Sequence, residues 1–358
     1  MTLKVKRVSQ ISVLWESMIG ISIFFLLTGC SKYIYENVYP TLVDGKYDTE
    51  FPYKECADQL NDIAQTIKQI NYIAYYRSYQ FSTESNVQIG TVNDAIENDI
   101  FDNIVYFNES VSGTGTVIYY ENNNLALLTC AHIGNYPDTL ITYFESKYEE
   151  EPTIIQNISF RIRENYYVAG IPGATDFSPL LVDQQKDIAI IGKRHILDPF
   201  RQIKVFDYPS GQSEELDWGS FVYIFGYPMG HKMVTKGIVS NPKDALSGSF
   251  IIDALFNRGF SGGIILAIKD GVPNFELVGM VKSVSASYDY TLVPDQITDE
   301  NPYNAYIPYK GNSFIRRAES INYGITFTVS IEEIKEFLIV NNNSELRMQG
   351  FNFTKVLN

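Results

Sequence analysis

Hydrophobic and polar positions change their rhythm along this chain. Residues 54–71 place Leu60, Ile63, Ile67 and Ile70 at helical spacing, which predicts one amphipathic helix. From about residue 100 the texture turns to short β-branched and aromatic runs separated by Gly, Asn, Asp and Pro. The runs predict strands over 114–120, 125–130, 139–144, 187–192, 220–225, 234–239, 249–254, 263–268, 276–281 and 325–330. Many short strands with turn signals between them predict an all-β barrel or sandwich. Residues 285–320 read as a polar insertion between two strands, long enough to be a surface feature or a functional loop. Ser330-Ile-Glu-Glu333 has the spacing of a capping box and predicts a helix through about Val340, followed by a loose tail over 341–358.

Composition narrows the class. Hydrophobic residues make up 45% and charged residues 20%, a globular balance in a chain of 358 residues, long enough for a large core. The formal charge of −14 leaves no electrostatic footprint for nucleic acid. It also gives an anionic membrane surface nothing to attract, so membrane contact would need a covalent or apolar anchor. The three cysteines, Cys30, Cys56 and Cys130, are too few and odd in number for a disulfide scaffold. With no CxxC, HExxH or Walker loop, neither a metal nor another cofactor is expected.

The first 30 residues read as an export leader. Lys4, Lys6 and Arg7 form a basic start, and Met18 to Thr28 is an apolar run of signal-peptide length. It ends in Leu27-Thr28-Gly29-Cys30, which resembles the bacterial lipobox, in which the cysteine is acylated. That resemblance implies a signal peptide over 1–29, lipidation (palmitate and related acyl chains) at Cys30, and an extracytoplasmic lipoprotein on a periplasmic or cell-surface membrane. Residues 30–99 would then be a tether and helical N-terminal extension.

Candidate chemistry centres on Gly259-Phe260-Ser261-Gly262-Gly263, where small residues allow a tight turn around one hydroxyl. Such a turn exposes Ser261 and lets the N–H groups of Gly259 and Ser261 act as an oxyanion hole. An α/β-hydrolase needs its histidine after the serine, and none of His132, His195 and His231 follows Ser261. The best histidine context is Thr129-Cys-Ala-His132 at the end of an apolar run, and the best acid is Asp187, at the head of Ile188-Ala-Ile-Ile191. Cys130, two residues from His132, reads as a small core residue.

Segments Gly113–Ile118, Thr129–His132, Asp187–Ile191 and Gly259–Gly263 together resemble trypsin-like serine peptidases, most closely the bacterial HtrA (Deg) type without a PDZ domain. Gly226-Tyr-Pro-Met-Gly230 and Val234–Ser240 extend the resemblance over about 105–340. It implies a chymotrypsin-like double six-stranded β-barrel with a C-terminal helix, a peptidase domain over 100–340, barrel 1 about 100–207 and barrel 2 about 215–340. It further implies a catalytic triad of His132, Asp187 and Ser261 in a serine-type endopeptidase that cleaves protein or peptide substrates through an acyl-enzyme. The substrate pocket would lie near Leu255, Gly279, Val281 and Lys282. The alternatives are a catalytically silent binding lipoprotein on the same fold and an esterase using the same triad. Phe260 departs from the Asn or Asp common at its position in that family.

Overall fold

The computed structural model describes residues 43–52, 54–144, 153–171, 173, 175–200, 203–244, 249–294, 306–308 and 313–356. The chain divides into Met1–Lys46 and Tyr47–Asn358. Of the first unit only residues 43–46 are described, a bend in which Lys46 N–H donates to Asp44 Oδ1 at 3.0 Å. The expected leader and Cys30 lie outside the described residues. Among the described residues no helix is long and apolar enough to cross a membrane.

The second unit opens with helix α1, Ala57–Thr66, and passes directly into strand β1, Ile67–Gln80. The helix expected over 54–71 therefore stops at Thr66, whose hydroxyl donates back to the Ile63 carbonyl at 2.7 Å. From Ile67 on, the chain is dominated by Tyr and Ile with period-two burial: Lys68, Ile70, Tyr72, Ala74 and Tyr76 point inward. β-Branched and aromatic residues favour an extended pleat, and that preference overrides the helical spacing of two isoleucines.

Strand β1 is an interior strand of an open antiparallel sheet. Helix α2, Val92–Glu97, leads into the long β2, Asn103–Glu121, and β3, Asn124–Thr129. Then come β4, Thr139–Tyr143; β5, Ile155–Val168; β6, Ser178–Asp183; and β7, Ile188–Lys193. The sheet order is β4-β5-β1-β2-β3-β7-β6. Strand β1 pairs with β2 from Ile67↔Thr116 to Gln80↔Asn103, and on its other side with β5.

The remaining strands are β8, Phe221–Gly226; β9, Met233–Asn241; β10, Ile251–Ile252; β11, Ile264–Ile268; β12, Phe275–Pro294; and β13, Ser313–Ser330. They close a six-stranded barrel in the order β10-β13-β12-β11-β8-β9. The expected double six-stranded barrel is thus corrected: the chain has one closed barrel and one open seven-stranded sheet. The extra strand, β1, comes from the stretch read as extension. The two end strands of the open sheet, β4 and β6, do not pair with each other.

The 285–320 insertion is a ladder in its described part, not a loop. Strands β12 and β13 stay paired from Ala286↔Ile321 out to Pro294↔Ser313. Ser330 caps helix α3, Ile331–Asn341, with both halves of the capping box formed. Beyond it, α4 spans Ser344–Met348, and Phe351 and Phe353 are buried against Tyr119 of β2. The segment expected as a loose tail is packed, because two aromatic rings and Leu346 remove apolar area from water.

Candidate functional site

The site forms where the end of β3 and the head of β7 meet a turn of the barrel. After Thr129 the chain leaves the sheet through Cys130 and enters a 3-10 turn, Ala131–Gly134, that carries His132. Asp187 is the last residue of the turn joining β6 to β7 and adopts a left-handed φ of 60°. That turn is fixed from within, since Asp183 Oδ1 accepts the N–H groups of Gln185 and Lys186, both at 2.9 Å.

Asp187 grips His132 twice. Its Oδ1 accepts the backbone N–H of His132, and its Oδ2 meets Nδ1 of the ring, each at 2.8 Å. A carboxylate so placed favours the tautomer with its proton on Nδ1 and leaves Nε2 as the proton acceptor. The imidazole is 42% exposed and the carboxylate only 11%, so the pair has a dry side and a wet side.

The barrel contributes the turn 257–263. Phe260 N–H donates to Asn257 O at 3.1 Å and Gly263 N–H to Phe260 O at 2.8 Å, making two consecutive turns. Phe260 is buried in the barrel core beside Phe256. Gly259 has φ 105°, and a Cβ there would stand 2.3 Å from Tyr227 O; Gly262 has φ 84°, and a Cβ there would stand 2.1 Å from Thr114 O. Only glycine fits at either place.

Thr114 of β2 ties this turn to the open sheet. Its hydroxyl donates to Gly259 O at 2.6 Å and accepts Tyr227 N–H at 2.9 Å. Its own N–H donates to Ser261 O at 2.8 Å, and its carbonyl accepts Thr129 Oγ1 at 2.7 Å. Among the described residues, the N–H groups of Gly259 and Ser261 donate to no protein acceptor. Two unspent donors on one rigid turn are available to a ligand oxygen.

The groups gathered around His132 differ from those expected. Cys130 Sγ, a ring nitrogen of His132 and a carboxylate oxygen of Asp187 all lie within 4.8 Å of one another. Ser261 is 8% exposed, and among the described residues its hydroxyl makes no hydrogen bond to His132. The assembled cluster is therefore Cys-His-Asp, not Ser-His-Asp. This corrects the expected serine triad. With it fall the serine-type endopeptidase acting through an acyl-enzyme, the esterase using the same triad, and the trypsin-like assignment that carried them. The physical reason is that a serine nucleophile needs its hydroxyl bonded to the imidazole, and among the described residues the ring bonds to Asp187 and not to Ser261.

Thiolate, imidazole and carboxylate are also a donor set for a soft divalent ion such as zinc. The fit is poor here. Cys130 is 1% exposed, its thiol donates to Val281 O at 3.3 Å, and burial, followed by the charge of Asp187, pushes its pKa well up. Both oxygens of Asp187 are already engaged by His132. For the same reasons Cys130 is a protonated packing residue and not an activated nucleophile.

The four expected pocket residues are scattered. Val281 and Lys282 adjoin the site: Val281 O accepts Gly262 N–H at 3.0 Å as well as the Cys130 thiol, and the Lys282 charge acts on that thiol. Gly279 faces Phe250 inside the barrel, and Leu255 is 64% exposed. A polar cavity of about 330 Å³ opens beside the histidine turn, lined by Ala131, Gly134, Asp138, Arg161, Tyr166 and Ala189 among others. Cys56 and Cys130 are both free thiols. The residue whose role the motifs left unassigned is Thr114; its signal was the Gly113-Thr-Gly115-Thr stretch. No protein-family model matches this chain and no curated protein matches its sequence, so the reading of its function rests on the geometry of this site.

Proposed function

We propose that His132, Asp187 and the 259–262 turn form a general acid–base centre acting on a carbonyl-type group. The observation that carries this reading is the Nδ1–Asp187 bond at 2.8 Å, which leaves Nε2 of a 42% exposed ring as the working nitrogen. In this reading the N–H groups of Gly259 and Ser261 hold the ligand oxygen as it gains negative charge. A water gives its proton to Nε2 and its oxygen adds to the carbonyl carbon; the π pair moves onto the held oxygen. Collapse of that adduct returns the proton from Nε2 to the departing group. Ser261 contributes its backbone N–H, and no covalent intermediate on its hydroxyl is part of the scheme.

The test is turnover of 4-nitrophenyl acetate by wild type, His132→Gln and Ser261→Ala. His132→Gln should lose about 10² or more in rate, the usual scale of a general base. Ser261→Ala keeps the N–H and should stay within a few-fold of wild type. Unchanged turnover in His132→Gln, or abolished turnover in a folded Ser261→Ala, would overturn the scheme.

Attachment at Cys30 to an extracytoplasmic membrane is likewise proposed, on the lipobox spacing alone. Cys30→Ala should shift the protein from the membrane to the soluble fraction; an unmodified Cys30 in membrane-bound protein would exclude it.

A further inference from the structure

The cavity beside the histidine turn has hydrogen-bond acceptors to spare. Its walls come from both ends of the open sheet: Asp138 just ahead of β4, Arg161, Glu164 and Tyr166 of β5, and Pro179 and Val182 of β6. It therefore lies between the two end strands, which do not pair, and at about 330 Å³ it has the size of a small-molecule site. Arg161 gathers its charged groups. Nη1 donates to Tyr72 Oη at 2.9 Å and Tyr136 O at 3.1 Å and pairs with Glu164 Oε2 at 2.8 Å, while Nη2 pairs with Asp138 Oδ1. One guanidinium thus draws two carboxylates together, and the trio keeps one negative charge. Glu164 Oε2 also accepts Tyr72 Oη at 2.7 Å. Among the described residues, Glu164 Oε1 and Asp138 Oδ2 accept no hydrogen bond.

Tyr166 stands in the same wall. It is 7% exposed, and among the described residues its hydroxyl makes no hydrogen bond. Its ring meets that of Tyr72 edge-on, with 4.7 Å between centres. The hydroxyl reaches the backbone of Gly134, where a Cβ would stand 1.7 Å from it, and Gly134 lines the cavity too. A phenol so nearly enclosed and without a partner is unfavourable, and a donor placed in the cavity relieves it.

These groups select the charge of a ligand. An anion would face two carboxylates, and the Nη1 and Nη2 donors of Arg161 are already engaged. A primary ammonium brings three N–H donors and one positive charge, which match the spare acceptors and cancel the surplus. We propose that this cavity binds a primary ammonium group, carried by a small amine or by a lysine side chain, with Glu164 Oε1 and the Tyr166 hydroxyl as acceptors and Asp138 at the rim. Ala131 and Gly134, on either side of His132 in its 3-10 turn, belong to the same wall. The inference stands on the cavity and does not depend on the chemistry assigned to His132.

The experiment is calorimetric titration of the full chain, at constant ionic strength, with n-butylammonium chloride and, separately, with Nα-acetyl-lysine methylamide. Wild type should bind at least one of them saturably. Tighter binding of n-butylammonium identifies a free amine as the ligand, and tighter binding of the lysine amide identifies a peptide side chain. Tyr166→Phe removes only an unbonded hydroxyl, so it should fold as wild type does and bind about tenfold more weakly. Glu164→Gln removes the charge and should lose about tenfold or more. Asp289→Asn, an exposed position outside the cavity, removes the same charge and should bind as wild type does. Butyltrimethylammonium has no N–H to donate and should bind about tenfold more weakly than n-butylammonium. The site is overturned by no saturable binding of either amine by wild type up to about 50 mM, beyond the millimolar range. Equal binding by Tyr166→Phe, or equal binding of butyltrimethylammonium, overturns it as well. If Glu164→Gln does not fold, those two comparisons decide.

Discussion

Thr114 Oγ1 donates to the carbonyl of Gly259 at 2.6 Å across 145 residues of sequence, and this bond holds the barrel turn against the open sheet. Thr114→Val keeps the shape but leaves Gly259 O and Tyr227 N–H without their partner. Two buried polar groups lose a bond, so the variant should be less stable by about 3 kcal/mol. Its turnover should also fall, because the donors of Gly259 and Ser261 would no longer be fixed. Urea midpoints read with ester turnover check this; a variant as stable and as active as wild type would show that Thr114 is idle.

Asp187→Asn tests the orientation of the imidazole. An amide can present N–H to the ring and favour the proton on Nε2, the wrong tautomer for a base. Turnover should fall about 10²-fold or more while the fold is kept. The ¹⁵N shifts of the His132 ring report the tautomer directly, and an unchanged tautomer with unchanged rate would refute the role given to Asp187.

Cys130 should be inert in the folded protein. Its thiol is buried, bonded to Val281 O and held protonated by burial and by the Asp187 charge. Iodoacetamide at neutral pH should modify it only after unfolding, and Cys130→Ala should retain most of the turnover. Rapid labelling of native protein at Cys130 with loss of activity would instead make the thiol the reacting group.

Tyr166 gives an alkaline signature. Burial, with the Glu164 charge behind it, raises its pKa from 10.0 to about 12. The unfolded chain therefore loses this proton first, and the stabilising contribution is complete below pH 10 and lost as pH rises to 12. Tyr166→Phe should flatten the fall of stability over that window, by at most about 3 kcal/mol. Parallel curves for the two proteins would show that Tyr166 titrates normally.

Much of the strand pattern was legible in the sequence. Strands β3, β7, β8 and β11 are runs of mostly apolar residues buried nearly throughout, β2 is buried over its second half, and the Ser330 capping box marks the start of its helix. Strand β1 was not legible, because Ile67 and Ile70 continue the helical spacing of Leu60 and Ile63 by coincidence. Strand β5 hid behind Arg161, Arg163 and Glu164. Arg161 is satisfied only in three dimensions, by Tyr72, Asp138 and Glu164. Residues His132, Asp187 and the 259–262 turn were legible as motifs. The relation of the hydroxyl of Ser261 to the ring was not, since a motif names residues and leaves the direction of a side chain open.

The packed C-terminus has a consequence for the order of events in synthesis. Tyr119 lies in β2, yet its ring is covered by Phe351 and Phe353, and its hydroxyl and the Asn124 amide both bond to Gly350 O. A ribosome would have translated the whole sheet and barrel before those two rings emerged. The end of β2 at Tyr119 thus stays uncovered until Phe351 and Phe353 have been made, and the two rings act as a clasp that fastens after the sheet and the barrel.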